Sequence, residues 1–72
     1  MDHVRLVQYL GEAEDDLASA ARAIFRQQEV ILDLERDGHE AREAKRLLAT
    51  FEEVLKLHLS NRNTRRKLFA DG

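Results

Sequence analysis

Proline is absent from all 72 residues, and the only turn signal in the middle of the chain is Asp37-Gly38. A chain so poor in breakers cannot build a multi-turn β domain, which needs Gly, Pro or Asn punctuation every ~8–12 residues. It can build long helices. Residues 3 to 36 hold one Gly, and residues 40 to 66 hold none. Asp2 is positioned to cap a first helix, and Gly38 suits the left-handed residue that ends one. Glu40 and Glu43 stand where the dipole of a second helix favours carboxylates. Ser60-Asn61-Arg62-Asn63-Thr64 has low helix propensity, so the second helix is expected to fray there. The expected helices are 3–36 and 40–66, with a turn at 37–39 and a frayed tail over 67–72.

Hydrophobic periodicity supports this division. In the first helix, His3, Leu10, Leu17, Ile24 and Ile31 take the a positions of a heptad, and Leu6, Ala13, Ala20, Gln27 and Leu34 the d positions. In the second, a is Ala41, Leu48, Leu55, Arg62 and Phe69, and d is Ala44, Phe51, His58 and Arg65. Two seams of this kind close into an antiparallel pair when the chain folds at Gly38. Leu34 then meets Ala41, Ile31 meets Ala44, Gln27 meets Leu48, Ile24 meets Phe51, Ala20 meets Leu55 and Leu17 meets His58. Large residues often face small ones, as close packing requires. The expected fold is all-α: a single domain over residues 1–72 made of one long αα-hairpin.

Size raises a difficulty. A core of fewer than ~70–80 residues rarely supplies more than ~3–5 kcal/mol. There is no Cys for a disulfide. Apolar residues are left over beside the seams: Val7, Phe25, Val30 and Leu32 in the first helix, and Leu47, Val54, Leu57 and Leu59 in the second. A stripe this broad belongs to a bundle helix more than to a two-stranded coiled coil. The expected remedy is a homodimer of hairpins forming a four-helix bundle, although the same face would serve a tetramer. Leu17, Ile24, Phe25, Ile31, Leu32, Leu47, Leu48, Phe51, Val54 and Leu55 are expected in the core and the self-association surface.

Several chemistries lack their parts. Without Cys there is no thiol nucleophile and no cysteine zinc site. No glycine-rich phosphate loop occurs. Ser19, Thr50, Ser60 and Thr64 have no strained elbow to present them as nucleophiles. A di-iron bundle needs Glu-x-x-His on two helices, and neither helix has a Glu three residues before a His. His39 and Glu43, with Glu35 near the same turn, fall short of a zinc ligand set and read as a solvated turn. His58, at a d position, reads as a half-buried histidine bonded to a carbonyl or to Asp16. His3 has no assigned role. Gln27 either fixes register inside the seam or reaches water at its edge. No catalytic, cofactor or metal residue is expected, and no enzyme. No apolar run is long enough to span a membrane, and the first residues carry no secretory pattern, so a cytoplasmic location is expected.

Charge is distributed in runs. Glu12, Glu14, Asp15 and Asp16 are acidic, and Arg62, Arg65, Arg66 and Lys67 are basic. The hairpin brings the two runs together, with Ala13 opposite Arg62 and Leu10 opposite Arg65. One reading is an ion-pair cluster that sets the antiparallel register. The other is an anion-binding patch for nucleic acid or a charged surface. A net charge of −2 weighs against nucleic acid as a partner.

The segment Arg26-Gln27-Gln28-Glu29-Val30-Ile31-Leu32-Asp33-Leu34-Glu35-Arg36-Asp37-Gly38-His39, followed by Leu47-Leu48-Ala49-Thr50-Phe51-Glu52-Glu53, resembles a group of short α-proteobacterial proteins. They share an R-Q-x-E…L-E-R-D-G-H segment and a later L-L-x-T-F-E segment. The resemblance covers roughly residues 20 to 60. It implies a helical hairpin and no activity, so no residue role carries over. The expected function is therefore a small non-enzymatic interaction or structural protein that self-associates and docks a protein partner. The alternative is anion binding by the basic cluster.

Overall fold

The computed structural model describes residues 2–71. Two helices account for nearly all of them: α1 (His3–Arg36) and α2 (Arg42–Asp71). Asp2 caps α1, its Oδ1 accepting the Val4 N–H at 3.2 Å. At the other end Gly38 adopts φ 77°. The Gly38 N–H donates to the Glu35 carbonyl at 3.1 Å and the His39 N–H to the Leu34 carbonyl at 2.8 Å. This paired arrangement satisfies two carbonyls the helix end would leave open, and it requires the left-handed residue that glycine provides.

The second helix begins two residues later than the sequence suggests. Glu40 precedes it and accepts the Arg42 N–H on Oε1 at 3.1 Å. Ala41 is buried, and its carbonyl takes the Lys45 N–H at 2.9 Å. Only Glu43 remains in the first turn. The C-terminal correction is larger. The expected fraying over 60–64 and the frayed tail over 67–71 are replaced by helix, because α2 continues to Asp71; residue 72 of that tail lies outside the described residues. Propensity is overruled by contacts with α1. The Phe69 ring lies 5.4 Å from the His3 ring, and Arg65 and Arg66 both reach α1. Thr64 also returns its hydroxyl to the Ser60 carbonyl at 3.1 Å.

Packing follows the two heptad seams. Leu6, Ala13, Ile31 and Ala41 are buried, Ala13 at 1% exposure. Leu10, Leu17, Ala20, Ile24, Gln27 and Leu34 of α1 are half-buried, as are Ala44, Leu48, Phe51, Leu55, His58, Arg62, Arg65 and Phe69 of α2. Of the expected seam residues only His3 is exposed. The register agrees to within about a turn. Gln27 Nε2 donates to the Ala44 carbonyl at 2.9 Å, which places the amide inside the seam on a backbone acceptor of α2.

The product is a rod, 54 × 15 × 12 Å, with a radius of gyration of 16.5 Å. A compact domain of this length would have a radius near 11 Å. Its accessible surface is 5540 Å², against roughly 4,600 Å² for a compact protein of this mass. The excess has a simple cause. One helix pair can bury one stripe per helix, and these helices carry more than one.

Candidate functional site

The leftover apolar side chains form two ordered stripes. On α2, Leu47, Thr50, Val54, Leu57, Asn61, Thr64 and Leu68 recur at alternating spacings of three and four. That is a second heptad seam, free of charge, on a helix whose remaining surface is crowded with it. Leu57 is 70% exposed, and Leu47, Val54 and Leu68 are exposed as well. On α1, Val4, Val7, Gly11, Ala18, Ala21, Phe25 and Leu32 follow the same spacing, interrupted by Glu14 and Gln28. Phe25 is 66% and Leu32 65% exposed.

These stripes lie on opposite sides of the rod. Two ion pairs cross between the helices on one side: Lys45 Nζ to Glu35 Oε2 and Arg66 Nη2 to Glu14 Oε1, each at 3.1 Å. Val7, Ala21 and Gln28 share that side, standing at sevenfold spacing from Glu14 and Glu35. The α2 stripe borders the other side. There a groove of about 320 Å³ runs between the helices, lined by Asp16, Ser19, Ala20, Ala23, Phe51, Val54 and His58. His58 and Asp16 share this groove and His58 is half-buried beside Phe51 and Val54, but among the described residues its side chain makes neither of the expected bonds, to a carbonyl or to Asp16.

Of the residues expected at the core and self-association surface, Ile31 is buried, and Leu17, Ile24, Leu48, Phe51 and Leu55 are half-buried in the seam. Phe25, Leu32, Leu47 and Val54 stand outside it. Leu68 and Val4, overlooked in the sequence, extend the two stripes; the alternating spacing was the signal that could have found them.

The basic cluster meets the acidic run, as the hairpin register requires. Arg65 turns inward, with 15% of its side chain exposed. Its guanidinium carbon sits 3.7 Å above the Tyr9 ring centroid. Its Nη1 donates to the Tyr9 carbonyl at 2.7 Å and approaches Glu12 at 3.8 Å. Its Nε is buried without a hydrogen-bond partner. Arg66 pairs with Glu14, and Arg62 donates to Asn63 Oδ1 at 3.2 Å. Lys67 is exposed. The Tyr9 platform was not read from the sequence, though it occupies the position flanking the seam at Arg65's height. Stacked on a ring and bonded to a carbonyl, Arg65 serves as a strut between the helix ends.

Local ion pairs decorate the rest of the surface. Asp33–Arg36, Glu43–Arg46 and Glu53–Lys56 all have the acid three residues before the base, the favourable orientation in a helix. Each is worth at most ~0.5 kcal/mol at this exposure. Among the described residues no three His, Asp or Glu side chains gather where a metal could bind, and no helix is long and apolar enough to cross a membrane. Comparison with known protein families, curated proteins and solved structures gives no match.

Proposed function

We propose that the protein is a non-enzymatic helical interaction module that acts as a homodimer, two hairpins closing into a four-helix bundle and offering the remaining surface to a protein partner. The observation that carries this reading is the alignment of the exposed apolar side chains. Among the described residues ten large ones are exposed. Most fall on the two stripes rather than scattering, and scattered ones would need no explanation. Self-association supplies the burial that one seam per helix leaves undone.

The anion-binding alternative has weaker support. Of its four basic residues, Arg65 is stacked and bonded within the hairpin and Arg66 is paired with Glu14. Arg62 and Lys67 remain, too few to hold a phosphate backbone against a net charge of −2.

Light scattering across a dilution series tests the proposal. The expected molar mass is twice 8.3 kDa at high concentration, falling towards the monomer on dilution. A folded monomer at the highest concentration would overturn self-association.

A further inference from the structure

Resting on the self-association proposed above, we infer that the second copy docks on the groove side of the rod with both turns at the same end. On this side both helices contribute apolar residues. From α2 come Leu47, Val54 and Leu68; from α1 come Val30, Ala23 and the ring of Tyr9. The opposite side has its apolar stripe on α1, to which α2 adds one large apolar residue, Leu59, since Lys45, Glu52, Lys56 and Arg66 charge the rest of the α2 half. Area then favours the groove side. A stable interface takes about 800 Å² from each partner, which is close to a whole long side of a rod measuring 54 by 15 Å. A single-helix stripe covers too little.

Residue matching selects the orientation. With the turns at the same end, α2 of one copy runs antiparallel to α1 of the other at unchanged height. Leu47 then meets Val30, Val54 meets Ala23, Leu68 meets Tyr9, and Asn61 meets Asp16. Three layers are apolar on both sides. In the fourth an amide donor meets a carboxylate, so each polar group finds its partner where burial would otherwise penalise it. With the turns at opposite ends, α2 meets α2 and α1 meets α1. Leu47 then meets Leu68 and Tyr9 meets Val30, but Asn61 falls against Val54 and Asp16 against Ala23. That buries an amide and a carboxylate without partners, twice each. The second copy also fills the groove bounded by Ala23, Phe51, Val54 and His58. Phe25 and Leu32 stay outside this interface.

The chain has no cysteine, so single-cysteine variants cross-link without background. Separately prepared Val30→Cys and Leu47→Cys proteins are mixed and mildly oxidised, and Ala23→Cys with Val54→Cys serves as a second pair should either variant misfold. The expected hetero-disulfide exceeds either homo-disulfide by about tenfold, because thiols whose Cα atoms stand more than ~7 Å apart do not bridge. A Leu47→Cys with Leu68→Cys hetero-disulfide in its place would overturn the orientation. Efficient self-linking of Phe25→Cys would overturn the choice of side while leaving self-association intact. Statistical cross-linking everywhere, together with a monomeric mass by light scattering, would remove both the docking mode and the proposal beneath it.

Discussion

Two glycines in this chain respond to the same substitution with opposite sign, and the structure gives the size of each response. Gly11 lies within α1, and a Cβ added there meets nothing within 4 Å. Alanine at that position removes the helix penalty of glycine, about 0.8–1.0 kcal/mol, with nothing to offset the gain. Gly38 also has free space around it, but its φ is +77°. Alanine there incurs the left-handed penalty of roughly 1–2 kcal/mol. It recovers about 0.4–1 kcal/mol by stiffening the unfolded chain. The net loss is at most about 1.6 kcal/mol, and about 0.8 kcal/mol at the middle of both ranges. For a domain of this size 1 kcal/mol moves the melting temperature by roughly 4–8 °C. Gly11→Ala is therefore expected to melt about 3–8 °C above the parent and Gly38→Ala about 3–6 °C below it. Circular dichroism melts at one fixed protein concentration measure this, since the proposed self-association would make the midpoint concentration-dependent. If Gly38→Ala is as stable as the parent, the cap is not the left-handed turn described. If Gly11→Ala is destabilised, something approaches Gly11 closely, and the nearest candidate is a second copy seated on the Phe25 side.

Other changes have equally definite outcomes. Asp2→Ala removes the α1 cap and is expected to cost about 1 kcal/mol in urea unfolding, whereas Asp15→Ala, far from either helix end, should cost little. Ile31→Ala deletes the most buried large side chain near the turn; a loss of ~2–5 kcal/mol is comparable to the whole stability of a hairpin this small, so loss of the cooperative transition is expected. Arg65→Lys keeps the charge but loses the planar stack on Tyr9 and the fixed fork to its carbonyl, so faster amide exchange is expected over the last turns of α2, with little change near Gly38. Leu47 is 44% exposed in the single hairpin; burying the rest contributes roughly 0.7–1.3 kcal/mol per copy. Leu47→Ala should then weaken the dimer about 10- to 80-fold by sedimentation equilibrium.

The hairpin was legible because its signals agree. Gly38, the capping Asp2 and two seams in register all specify one antiparallel pair, and agreement across levels is what makes a fold readable. The α2 C-terminus departs from the sequence signal because propensity alone speaks there. Ser60, Asn61, Asn63 and Thr64 are weak helix formers, but Phe69 against His3 and Arg65 on Tyr9 hold the last turns in place. Tertiary contacts outweigh a few tenths of a kcal/mol per residue. Gln27 lay beyond reach for another reason. Whether an amide at a seam position finds a carbonyl or water depends on fractions of a turn, and heptad assignment does not resolve them.

The two sides of the rod explain why the surplus apolar residues looked like one face in the sequence. The α1 stripe is displaced from its seam by one residue towards the C-terminus, and the α2 stripe by one residue towards the N-terminus. Each displacement is a rotation of about 100°. Because the helices run antiparallel, rotations of opposite sense carry the stripes to opposite sides, as the ion pairs on one and the groove on the other record. A hairpin with sticky sides back to back would polymerise if both were equally adhesive, since contacts that do not close propagate. The charges oppose this. On the Phe25 side Lys45, Glu52, Lys56 and Arg66 of α2 and Glu14 and Glu35 of α1 accompany the apolar stripe, two of the bases already paired across the helices, so two copies meeting there would have to take these charges out of water. On the groove side the α2 stripe carries no charge from Leu47 to Leu68. In the proposed dimer that asymmetry closes the groove side and leaves Phe25 and Leu32 outward on both copies.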